Sequence, residues 1–219
     1  MMTRPFLRHW LALSTLVVAV LLPSLGCRTG LMTVMYLWKG TDVDPDFAGL
    51  KGKKVAVVCR PLVSLQYRDI GVSNDLAEEI AKLLKEKVPK IEVVEQRKVA
   101  KWVDENSWEE YVEVGRGVKA DMVVGVDLEQ FSIYQGQTLY QGKANATLRV
   151  YDCQQNGKLV FEKIVPPSVY PPSGGVSTSD RDERLFRREF ITILADQIAR
   201  HFYAHDPHAD LALDAAALK

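Results

Sequence analysis

The chain has 219 residues, 28 Lys and Arg against 28 Asp and Glu, and 47% hydrophobic residues. That composition excludes a disordered chain, and the balanced charge argues against electrostatic nucleic-acid binding, which needs a basic surface. Three cysteines, Cys27, Cys59 and Cys153, are too few for a disulfide framework in a chain this long.

The first 26 residues read as a secretory signal. Arg4 and Arg8 form a positive start, and residues 10–22 are an uncharged, mostly apolar run. That run of 13 is short for a bilayer span, which needs about 20 residues. Gly26-Cys27 then resembles the lipobox of bacterial lipoproteins. The match departs from the usual pattern in one place: Ser24 stands where Leu is usual, with Leu25 one position later. The resemblance implies cleavage before Cys27 and acylation of its sulfur. Arg28 is not the Asp that marks inner-membrane retention, so delivery to the outer membrane is the expectation. Without residues 1–26 the chain keeps 26 basic and 28 acidic residues, net −2.

Residues 31–38, LMTVMYLW, are a second apolar run, too short to span. They suit a segment on the lipid surface or one packed on the domain. Residues 39–52 read as a polar connector, so 27–52 is expected to be a lipid-anchored tether. The folded part, 53–203, is expected to be a single α/β domain, with 204–219 as a flexible tail.

Residues 54–59 are apolar and β-branched and read as a buried strand. Ser73 is placed as the cap of a helix whose stripe is Leu76, Ile80, Leu83, Leu84 and Val88, ended by Pro89. Residues 91–94 form a second strand. Val99, Trp102 and Val103 line a short helix. Ser107-Trp108-Glu109-Glu110 reads as a capping box opening the next.

Residues 120–131 are the central strand. Met122, Val124, Val126 and Leu128 share one parity, while the other turns from Val123 and Gly125 to Asp127 and Glu129. Alternate side chains lie on opposite faces, so the strand is buried on both faces at first and on one face later. Residues 138–151 alternate as a half-exposed antiparallel strand, with Tyr140, Ala144, Ala146, Leu148 and Val150 inward. Asn156-Gly157 marks a hairpin, 159–165 its partner. Residues 166–180 read as a long Pro/Gly/Ser loop, and 181–203 as a closing helix with Phe186, Phe190, Ile193, Leu194, Ile198 and Phe202 inward. The fold class is therefore α/β (α+β): a mixed sheet, helices packed on it, and an antiparallel meander in the C-terminal half.

Short runs resemble one group of proteins. They are Lys54-Val55-Ala56-Val57, Leu76-Ala77-Glu78-Glu79-Ile80, Val93-Val94-Glu95-Gln96-Arg97, Lys119-Ala120-Asp121-Met122-Val123-Val124 and Gly157-Lys158-Leu159-Val160. Over residues 54–165 the chain is similar to periplasmic lipoproteins related to the curli-secretion channel subunit CsgG and the N-terminal domain of TolB. That resemblance implies a compact α/β domain that assembles with envelope proteins. No pore-forming hairpin or propeller repeat is present in the sequence, so neither parent activity carries over.

Candidate chemistry is sparse. The loop 60–72 leaves the carboxyl end of the first strand, where open α/β sheets bind ligands. A phosphate site there would want closely spaced glycines, and only Gly71 is present. Asp121, Asp127 and Glu129 share a parity and could do acid–base work. No base or nucleophile can be placed beside them, so they read as solvated carboxylates. His201, His205 and His208 have metal-like spacing, but Pro207 breaks the helix that would align them. Cys59 and Cys153 are either two buried thiols or a disulfide. Trp102, Trp108, Tyr134, Tyr140 and Tyr170 are the candidate interaction surface, since Trp and Tyr are enriched at interfaces.

The expected function is a lipid-anchored periplasmic protein of the cell envelope, binding or assembling without catalysis. Its partners would be the membrane through the Cys27 lipid, and an envelope protein or further copies of itself. No catalytic residue, metal or cofactor is expected. The rival is an extracytoplasmic small-ligand-binding protein or hydrolase using loop 60–72 and the carboxylates ending the central strand.

Overall fold

A computed structural model describes residues 42–61 and 71–207. Cys27, the run 31–38 and the loop interior 62–70 lie outside the described residues. In chain order the elements are β1 (Lys54–Pro61), α1 (Val72–Lys87), β2 (Glu92–Val93), α2 (Gln96–Glu105), α3 (Tyr111–Gly117), β3 (Met122–Gln135), β4 (Leu139–Asp152), β5 (Lys158–Ile164), β6 (Ser168–Tyr170), β7 (Val176–Ser177) and α4 (Glu183–Ala199). A 3-10 turn, Arg200–Phe202, follows α4.

The sheet runs β2-β1-β3-β4-β5, with β6 and β7 also on β4. β1 is parallel to β2 and β3, and β3, β4 and β5 are antiparallel neighbours. This is the mixed sheet with a C-terminal meander that the alternation predicts. Helices cover both faces of its parallel half. On one face Val55, Val57, Val124 and Val126 meet Leu76, Ile80 and Leu84 of α1 and Phe186, Phe190 and Ile198 of α4. On the other, Ala56, Val58 and Val123 meet Val99 of α2 and Tyr111 and Val114 of α3. Burial on two faces requires a continuous apolar run, and both β1 and the start of β3 carry one.

The central strand departs from simple alternation. Leu128 faces Ala146, but Gln130 faces Asn145, so Glu129 is an extra residue in a β-bulge. Glu129 and Gln130 are both exposed. Beyond them Phe131 and Ile133, of the opposite parity, join the core that holds Val124 and Leu128. The strand also runs on to Gln135.

Other boundaries shift for identifiable reasons. α1 starts at Val72, with Gly71 at φ 103 in the cap position and no side-chain cap bond, so Ser73 is inside the helix. The expected capping box does not form at Ser107. α3 starts at Tyr111, and the Glu113 carboxylate accepts from the Glu109 N–H at 2.9 Å. Asp182 caps α4, accepting from the Arg184 and Leu185 N–H groups. The supposed loop 166–180 holds β6 and β7. The hairpin is as expected: Asn156 and Gly157 have φ 59 and 78, the pair of left-handed residues that a tight turn between twisted strands needs.

The end of the expected tether belongs to the fold. Leu50 is wholly buried, and Val43 forms an antiparallel bridge with His205. The described fold therefore includes Val43 and, at the other end, His205 of the expected tail. Among the described residues no helix is long and apolar enough to cross a membrane.

Candidate functional site

From β1 the chain goes to β2 on one side, then returns to β3 on the other. The carboxyl end of β1, which lies beside the middle of β3, is therefore the sheet's switch point, where a crevice opens in folds of this kind. Arg60 and Asp127 are register partners there. Arg149 comes from β4, and Glu162 is its partner on β5. Tyr111, at the start of α3, lays its ring over Gly125. A Cβ at Gly125 would stand 2.8 Å from that ring, so this position requires glycine.

These side chains bond to one another. Asp127 Oδ1 accepts from Arg60 Nε at 3.3 Å and from the Tyr111 hydroxyl at 2.8 Å. Its other oxygen accepts from Arg149 Nη1. Arg149 Nε donates to Glu162 at 2.7 Å. Arg60 Nη1 donates to the Glu109 carbonyl at 2.8 Å, and its guanidinium lies 4.6 Å from the Tyr111 ring centre and 5.1 Å from that of Trp108. Two cations and two carboxylates balance. Burial and the Asp127 carboxylate push the Tyr111 phenol far above its ordinary value. The hydrogen bond to Glu162 raises Arg149 further, against burial. Burial pushes the Cys59 thiol, one residue before Arg60, up to about 12, so it is no ready nucleophile.

This arrangement cross-links β1, β3, β4, β5 and α3. Each Asp127 oxygen accepts from a donor of the same chain, so it is not the solvated carboxylate that alternation suggests. Glu129 sits on the bulge and accepts from the Thr147 hydroxyl at 2.7 Å. Asp121 is at the opposite end of the strand, accepting from the Lys54 N–H at 2.9 Å and from Gln154 at 2.7 Å. The three carboxylates are not brought together. Sequence reasoning missed Arg60, Arg149 and Tyr111 as the partners of Asp127. The available signal was the set of opposite charges on neighbouring strands, Arg60, Asp127, Arg149 and Glu162.

The candidate aromatic surface breaks up. Tyr140 and Tyr170 are buried, and the Tyr170 hydroxyl donates to Glu189 at 2.8 Å. Trp102 and Trp108 are half-buried against the second core. Tyr134 alone of the five is exposed, its hydroxyl donating to Glu183 at 2.7 Å. Cys59 and Cys153 are unpaired thiols packed against different faces of the sheet, so the disulfide alternative falls. His201 faces Asp46 and His205 faces the Tyr203 carbonyl. His208 lies outside the described residues, among which no group of three metal-ligating side chains occurs. A cleft of about 350 Å³ lies away from the switch point, between Asp75, Glu78 and Glu79 of α1 and Arg184, Arg187 and Arg188 of α4. Its walls are the charged outer faces of two amphipathic helices.

No family model and no curated protein matches the chain. Solved structures similar to it include a PelC dodecamer from Paraburkholderia phytofirmans, at TM-score 0.44 and 12% identity over 74% of this chain and 96% of that one. Lipoprotein GNA1162 from Neisseria meningitidis is similar at TM-score 0.41 and 13% identity, over 67% and 97%. The LpoB C-terminal domain from Salmonella enterica is similar at TM-score 0.36 and 13% identity, over 55% and 84%. One of these neighbours, GNA1162, is a bacterial lipoprotein by name. The narrower CsgG- and TolB-like group is not singled out among the three.

Proposed function

We propose that the chain is a lipid-anchored protein on the periplasmic side of a bacterial cell envelope, binding or assembling with envelope proteins rather than catalysing a reaction. The observation that carries this reading is the state of Asp127. At the position where a ligand-using α/β domain places its polar groups, both carboxylate oxygens are held by donors from the same chain. The rival hydrolase or small-ligand binder needs that carboxylate free. The anchor rests on Arg4, Arg8, the 10–22 run and Gly26-Cys27, and outer-membrane delivery on Arg28. Exposed apolar side chains on the meander side, Ile164 at 78% and Val169 at 40%, suit a protein contact better than a small molecule.

The test has two arms. Native mass measurement of the detergent-solubilised protein is expected to find it in a complex larger than one chain. A hydrolase panel is expected to find no activity. Turnover in the wild type that disappears in Asp127→Asn would replace this reading with the rival one.

A further inference from the structure

The parallel strands of the sheet share an amino end. Lys53 leads into β1, Lys90 precedes β2, and Lys119 precedes β3. The backbones are joined there. The Glu92 N–H donates to the Lys53 carbonyl at 3.0 Å, and the Asp121 N–H donates to the Lys54 carbonyl at 2.7 Å. β4 ends at the same edge, where the Cys153 N–H donates to the Asp121 carbonyl at 2.9 Å, and Lys158 opens β5. The crossover helices return the chain to this end, so α1 finishes with Lys85 and Lys87 and α3 with Arg116. From β2 to β5 the sheet crosses four strand spacings of about 4.8 Å, a row of roughly 19 Å.

The chain does not balance the charge of this end. Residues 51–54, 85–92, 116–121 and 152–158 hold nine cations and four carboxylates. Three of the carboxylates are engaged. Glu92 is 3.5 Å from Lys54 Nζ, Asp121 accepts from the Lys54 N–H and from Gln154, and Asp152 accepts from the Gln154 and Gln155 N–H groups. The fourth is the exposed Glu86. Among the described residues, Lys51, Lys53, Lys87, Lys90, Lys119 and Lys158 have no carboxylate within 4.0 Å. Lys53 is half-buried and the other five are exposed. Cations elsewhere are mostly paired, as Arg60 and Arg149 are with Asp127 and Lys163 is with Asp46. A helix dipole accounts for Lys87, at the negative end of α1, but not for Lys51, Lys53 or Lys158. The whole chain has no net charge, so this excess is a local asymmetry. Like charges gathered on one surface repel, a cost that a partner of opposite charge removes.

We propose that this lysine-rich end docks on the anionic headgroups of the membrane that holds the chain. The choice of a lipid surface rests on the proposed Cys27 anchor, since charge alone would fit any polyanion. Asp42 lies fifteen positions after Cys27, a reach of at most about 50 Å. An anchored domain is therefore held close to the headgroups, and weak contacts act there at high effective concentration. Anionic headgroups attract each lysine at their surface, and that field fades within a Debye length of about 8–10 Å. Lysines presented together at one end of the sheet can enter it together. Lys143 cannot. It lies on β4 opposite Ser132, eleven residues along β3 from Asp121, or roughly 35 Å. Docked this way, the domain turns the Asp127 cluster and the open face of the meander away from the lipid, toward a protein partner.

The experiment is amine acetylation read lysine by lysine by mass, on the full mature protein added to preformed vesicles and recovered by flotation. Vesicles of phosphatidylcholine alone are compared with vesicles containing about one-third phosphatidylglycerol. Labelling of Lys53, Lys90 and Lys119 is expected to fall about threefold or more on the anionic vesicles and to recover in about 0.5 M salt, while Lys143 is unchanged. In the triple variant Lys53→Glu, Lys90→Glu, Lys119→Glu, the protection of Lys51, Lys87 and Lys158 should be lost, with a thermal melt confirming the fold. The wild-type comparison decides the proposal even if that variant is unstable. Equal labelling on both vesicles, a fall that includes Lys143, or protection that survives the triple substitution would each overturn it. Equal protection by a heparin fragment at matched charge on neutral vesicles would assign this end to a soluble polyanion and overturn it too. Flotation with phosphatidylcholine alone reports the anchor, because those vesicles carry no net charge. A chain that floats only with anionic vesicles would refute the anchor and still bear out the lysine-rich end.

Discussion

The two halves of β3 meet different surroundings. From Met122 to Val126 the strand is buried on both faces between helices, and every residue is apolar or glycine. After the bulge at Glu129 only one face is covered, by α4 through the contact of Phe131 with Phe190 at 5.4 Å. The other face carries Glu129, Gln130, Ser132 and Tyr134. Asp127 stands at the boundary, and its three donors come from the end of β1, the start of α3 and the neighbouring strand β4. A polar group can occupy such a border if its bonds are supplied by the chain, and here they are.

That contrast sets the order of expected effects. Val124→Asp in the first half should unfold the domain, because an unpaired charge buried there costs more than about 4 kcal/mol against a typical total of 5–15. Loss of the cooperative melt would show this, and wild-type-like melting would break the comparison. Phe131→Ala in the second half should cost about 3 kcal/mol by denaturant titration, since a buried ring is removed from one packed face. At the boundary, Asp127→Ala should cost about 2 kcal/mol, because Arg60, Tyr111 and Arg149 lose their common acceptor while Arg149 keeps Glu162. A double-mutant cycle with Arg149→Ala measures that coupling. Glu129→Ala on the exposed bulge should cost about 1 kcal/mol, because the buried Thr147 hydroxyl loses its acceptor. A cost there like that of Asp127→Ala would show that the bulge carries part of the cluster.

Much of the fold is legible because it is local. The apolar run of β1, the stripe Phe186, Phe190, Leu194, Ile198 of α4 and the Asn156-Gly157 turn each reflect a residue period or a turn requirement. What escaped depends on partners far along the chain. Parity reading assumes an unbroken pleat, so it put Asp127 and Glu129 on one face and missed the inward turn of Phe131 and Ile133. β6 and β7 are short and lie among prolines and glycines. They form because β4 offers them an edge, which no local period reveals. Tyr140 and Tyr170 looked like surface candidates, yet both stack on Phe186. The candidate site fared the same way. The position of Asp127 could be read, but the donors that occupy it come from β1, β4 and α3.

The central claim is the anchor, and the most direct measurement is the mass of the N-terminal peptide of the mature protein taken from membranes. The account predicts a peptide beginning at Cys27 and carrying acyl chains, two or more being what stable attachment requires. In Cys27→Ser that species should disappear and an unlipidated precursor remain. An unmodified peptide starting elsewhere, or an intact Met1 or Met2 terminus in the wild type, would contradict it.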